Sequence, residues 1–74
     1  MSNRELNPTK WEDPAGNVYG VEQASNGRFV VIRTNPGGNR KRSKEFCAAG
    51  RADAVQRQLD AGARERGWKE IADA

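Results

Sequence analysis

Apolar and polar positions alternate from Asn17 to Gln23, with Tyr19 and Val21 on one side and Val18 and Gly20 on the other, as a half-buried strand requires. Asn26-Gly27 follows, a preferred pair for a two-residue type I′ hairpin turn. A second strand is expected over Arg28 to Arg33, closed by the turn-forming run Thr34-Asn35-Pro36-Gly37-Gly38, and a third over Asn39 to Phe46. Beyond Gly50 the period lengthens: Ala52, Val55, Leu59 and Gly62-Ala63 recur at three- and four-residue spacing, which predicts a helix. Gly50 is the expected N-cap and Gly67 the expected stop, and Asp53 with Arg57 and Asp60 with Arg64 are spaced to support the helix as ion pairs. Trp68 and Ile71 return to the core as a short fourth strand or as a packed tail, a choice the pattern leaves open.

The expected fold is therefore α+β: a three-stranded antiparallel sheet, β-β-β-α, with one helix on one face. Residues 1–15 read as a flexible N-terminal arm, because Asn7-Pro8 and Asp13-Pro14 disfavour helix and supply little ladder. Residues 16–74 form the single domain, and no repeat or low-complexity tract interrupts it. Within the arm Trp11 is expected to fold back over the edge of the core, since an indole has a large apolar body.

Composition narrows the functional classes. The chain has 74 residues, of which 35% are hydrophobic and 31% charged, too few large apolar side chains to line an internal active site as well as a core. Histidine is absent, which removes the commonest general base, the commonest zinc ligand and every Cys-His or Ser-His dyad. Cys47 is the single cysteine, so no internal disulfide forms, and beside Phe46 it reads as a small buried hydrophobe. Gly37-Gly38 lacks the spacing and strand-to-helix setting of a phosphate-binding loop. The expectation is a non-enzymatic protein with no cofactor and no metal. No stretch approaches the ~20 apolar residues of a membrane span and none has the form of a signal peptide, so a cytoplasmic protein with no membrane partner is expected.

The net charge of +3 conceals a strong asymmetry. Residues 26–44 carry Arg28, Arg33, Arg40, Lys41, Arg42 and Lys44 without one acid, while the flanks together are net negative. Lysine and arginine on an edge strand discourage sheet-to-sheet aggregation, but one or two charges suffice for that. Six uncompensated bases give a field that steers an anionic partner.

The order Tyr19-Gly20-Val21, Asn26-Gly27-Arg28-Phe29, a basic third strand closing at Phe46 and an alanine-rich helix resembles the arm-binding domain of phage integrases and the plant ethylene-response DNA-binding domain. The resemblance covers residues 19–60 and implies that the open face of the sheet reads DNA in the major groove. Mapped by alternation, that face presents Glu22, Arg28, Val30, Ile32, Arg40 and Arg42. Val30 and Ile32 make a second apolar stripe opposite Phe29 and Val31, covered by the arm or tail through Trp11 or Ile71, or else left as a protein-docking surface.

In size, charge and lack of catalytic residues the chain also resembles, as a class, phage-encoded regulators that dock on host RNA polymerase. That resemblance implies a monomeric transcription regulator in the host cytoplasm, whose basic hairpin faces acidic protein, RNA or DNA. The expected partner-binding residues are Arg28, Val30, Ile32, Arg33, Arg40, Lys41, Arg42 and Lys44, with an integrase-type DNA-binding module as the alternative function.

Overall fold

A computed structural model describes residues 9–46 and 51–71. Its elements are β1 (Lys10–Glu12), β2 (Val18–Gln23), β3 (Phe29–Thr34), β4 (Arg40–Arg42), α1 (Ala52–Arg66) and β5 (Lys69–Ile71). The class is α+β with an antiparallel sheet and one helix, but the sheet has five strands in the order β4-β3-β2-β1-β5, not three. One added strand, β1, comes from the segment expected to be an arm; it pairs Trp11 with Tyr19 on one side and with Glu70 on the other. The other is the C-terminal tail, which becomes a strand on β1 at the far edge from β4.

The first four strands form a meander whose three connections share one geometry. In each, the first residue of a five-residue turn accepts a hydrogen bond from the fourth, and its N–H donates to the fifth residue's carbonyl: 13–17, 24–28 and 35–39. The fourth residue is a left-handed glycine each time: Gly16, Gly27 and Gly38, at φ of 92°, 88° and 91°. This corrects the two-residue turn expected at Asn26-Gly27. A type I′ turn needs positive φ at Asn26 as well, and no non-glycine residue among those described adopts it. The closure is that of a type I turn followed by a glycine bulge, and Asn26 instead accepts the Arg28 N–H on its Oδ1 at 3.0 Å.

Register sorts the side chains between two faces. Trp11, Tyr19, Val21, Phe29 and Val31 point to the helix side, where the buried cluster is Trp11, Tyr19, Val31, Phe46, Val55, Leu59 and Ala63. Helix residues Val55, Leu59 and Ala63 follow at intervals of four and are fully buried. Tyr19 stacks on Trp68 at 4.4 Å between centroids, and Phe46 meets both rings edge-on at 6.4 Å. Trp11 therefore closes the main core, not the opposite stripe, and its Nε1 donates to Asp60 Oδ1 at 2.9 Å.

The helix begins after Arg51, whose extended backbone occupies the N-cap position expected for Gly50; its carbonyl accepts the first helical bond, from Val55 N–H at 3.0 Å. It ends on the expected Gly67, at φ of 73°. Trp68 N–H donates to the Ala63 carbonyl and Gly67 N–H to that of Arg64. These two bonds make a Schellman cap whose apolar contact, Trp68 against the cluster holding Ala63, turns the chain back onto the sheet. Arg57 approaches Asp53 at 3.8 Å as expected. No ion pair between Asp60 and Arg64 occurs among the described residues; Asp60 accepts instead from Trp11 and Gln56. Cys47 and Gly50 lie outside the described residues. No helix among those described is long and apolar enough to cross a membrane.

Candidate functional site

The third strand, expected to reach Phe46, ends at Arg42. Ser43 N–H still donates to the Val31 carbonyl at 2.8 Å, and then the chain bends away and drives Phe46 into the core. β3 has six residues and β4 three, so the Phe29–Val30 end of β3 has no strand beyond it. The departure of the chain there leaves an open hollow of about 400 Å³, lined by Asn26, Arg28, Val30, Arg42, Ser43, Lys44 and Phe46.

Pairing of Ile32 with Arg42, Arg33 with Lys41 and Thr34 with Arg40 divides the basic residues. Arg40 and Arg42 stand with Ile32 on the face away from the helix, and Arg28, Arg42 and Lys44 surround the hollow with Val30. Arg33 and Lys41 belong to the other face, in line with Tyr19. The eight expected partner-binding residues thus fall on both sides of the sheet, with six grouped on the open side.

Charge on the open side is unevenly compensated. Arg40 is paired with Glu22. They stand on β4 and β2, two strands and two rows apart, so the line joining them crosses β3 at Ile32. The bridge thereby roofs part of the apolar stripe, and Ile32 is half-buried. Both partners are about half exposed, at 53% and 49%, so the pair adds little to stability. Val30 is buried at 6% exposure and offers almost no surface to a partner. Ile71, expected as a cover, is on the open face at β5, beside Lys10.

Arg28, Arg42 and Lys44 differ from Arg40: none has an ion pair or side-chain hydrogen bond among the described residues. No carboxylate is among the described residues lining the hollow. The nearest sequence neighbour, Glu45, approaches Arg66 at 3.8 Å. Asn26, Ser43 and Phe46 are lining residues that sequence reasoning passed over. No alternation runs through Arg40 to Glu45, all of them polar, so the sequence held no signal for where the ladder stops.

Away from the hollow, Asp13 has the other concentration of polar contacts. Its carboxylate accepts from Ala15 N–H, Asn17 N–H, Asn17 Nδ2 and the Tyr19 hydroxyl at 2.9–3.1 Å. Burial raises its pKa, but hydrogen bonds from Asn17, Tyr19 and Ala15 outweigh that and hold it below the ordinary value of 3.8. Burial, followed by the bond to Asp13, pushes the Tyr19 hydroxyl up. Three of its four bonds close the first turn and the fourth, from Tyr19 on β2, ties that turn to the core, which makes the network a structural fastening. No family model matches the chain, nor does any of the curated proteins or solved structures compared with it.

Proposed function

We propose that the protein is a non-enzymatic module that binds the phosphate backbone of a nucleic acid at the free end of its β3–β4 hairpin. The observation that carries this reading is the gathering of Arg28, Arg42 and Lys44 around one hollow, with no acid and no partner for them among the described residues. Uncompensated like charges repel one another, and a bound polyanion relieves that repulsion while releasing its own counterions. Two of the three are guanidinium groups, whose planar donor forks suit phosphate oxygens. The centre of the open face is less suited to the task. Of the residues an integrase-type reading face would present, Glu22 and Arg40 neutralise each other and Val30 is buried.

The test replaces Arg28, Arg42 and Lys44 together by glutamine and follows binding of a labelled oligonucleotide over a range of salt concentrations. Each phosphate contact contributes about 0.7–0.9 to the slope of log K against log salt, so the triple variant is expected to lose about two units of slope. An unchanged slope in a variant with unchanged melting temperature would overturn the reading.

A second reading, a phage-type transcription regulator docked on host RNA polymerase, draws support from Val18, Ile32 and Ile71. These are half-buried apolar residues on the cationic face, a mixture found in protein interfaces. Co-elution with purified bacterial RNA polymerase after nuclease treatment would favour it, and separate elution would remove it.

A further inference from the structure

Resting on the nucleic-acid reading, we infer that the hollow at Arg28, Val30, Arg42 and Lys44 is a subsite for one unstacked, keto-bearing nucleotide of a single strand. Its phosphate meets the cations and its base stacks against their side chains. Shape is the first argument. A duplex backbone is convex and keeps its bases stacked inside, whereas this surface is an open hollow of about 400 Å³. A duplex must unpair and unstack a base to fill it, and a single strand avoids the unpairing.

The second argument is the mixture of surfaces. A site for phosphate alone needs only cations, yet this hollow is lined by the long side chains of Arg28, Arg42 and Lys44 over a floor closed by the buried Val30 and Phe46. Guanidinium planes and aliphatic stems are surfaces on which bases stack. Hydrogen-bond polarity supplies the third. Asn26 Oδ1 accepts the Arg28 N–H, which leaves the amide nitrogen as the group's donor. Ser43 Oγ accepts the Glu45 N–H at 3.3 Å, leaving its hydroxyl hydrogen to donate. With the three cations, the rim is dominated by donors, so it favours a ligand rich in acceptors: phosphate oxygens and the carbonyls of thymine, uracil or guanine.

Fluorescence anisotropy on the full chain tests this with three labelled probes of equal phosphate number: oligothymidylate, an abasic strand and a duplex. Oligothymidylate is expected to bind roughly tenfold more tightly than the abasic strand, the scale of one stacked base, and more tightly than the duplex. Ser43→Tyr fills the hollow while keeping every charge; it should abolish the preference for thymidylate over the abasic strand. Asn26→Tyr, at another lining residue, makes the same test if the first variant melts early. Equal binding of thymidylate and abasic strands by the unaltered protein, with a normal salt slope, overturns the subsite and spares the backbone reading. Absence of binding to all three probes overturns the backbone reading itself.

Discussion

Asp13 shows how much one side chain can organise. Four donors from Ala15, Asn17 and Tyr19 converge on its two oxygens, which ties the first turn to the wall of the core. Because its folded pKa is lowered, the unfolded chain takes up the proton first as the pH falls. The stabilisation is therefore present above the ordinary value of 3.8 and disappears as the pH drops through the folded value. Asp13→Asn should cost about 1–2 kcal/mol near neutral pH, since the second oxygen is lost as an acceptor. It should also flatten the fall in stability below about pH 4. Urea midpoints measured from pH 2 to 7 check both, and an acid limb identical to that of the unaltered protein would contradict the assignment. In the sequence Asp13-Pro14 reads only as part of a flexible arm; the turn and the bond to Tyr19 both require the β1–β2 register. Asp60 is similar. Its spacing suggested an i,i+4 partner in Arg64, but the indole of Trp11, distant in sequence, takes that oxygen.

At the scale of elements, helix and sheet meet most tightly at Gly62. Alanine normally favours a helix over glycine by about 1 kcal/mol. Here a Cβ would lie 2.7 Å from Phe46 Cε1 and 2.7 Å from Arg66 Nη1. The arginine end can swing aside, whereas Phe46 is wedged edge-on against Tyr19 and Trp68. Overpacking of this kind costs about 1–3 kcal/mol, so Gly62→Ala should destabilise despite its helical preference. Thermal melts decide the sign, and a rise in melting temperature would show that Phe46 yields freely. The helix itself was readable because Val55, Leu59 and Ala63 keep its period, and its glycine stop was too. Strand β1 escaped, and β5 stayed open between strand and packed tail, because three residues are too few to show alternation; the pairing of β1 with β2 on one side and β5 on the other makes them strands. The glycines at 16, 27 and 38 recur every eleven residues, a cue to three equal turns that differences in the surrounding residues conceal.

Across the whole molecule, the basic segment was visible as composition, but its division between two faces and the hollow beside it depend on where β4 stops. Sequence cannot place that stop while Arg40 to Lys44 remains uniformly polar. The closing of the sheet has a different consequence. Lys10, at the start of β1, is the direct partner of Ile71, at the end of β5, and such partners are about 5 Å apart. Residues 10–71 thus run almost as a ring, opened at one edge of their own sheet. Joining residue 71 to residue 10 through a short glycine-rich linker should let the protein be circularly permuted, with new ends cut at Pro14-Ala15 or Pro36-Gly37, where exposed turns tolerate a break. Both permutants are expected to give the near-ultraviolet dichroism of the stacked Tyr19 and Trp68. An opening at Ser25-Asn26 should fold as well yet spoil the hollow, which makes the permutation series a way to separate the architecture from the surface that uses it.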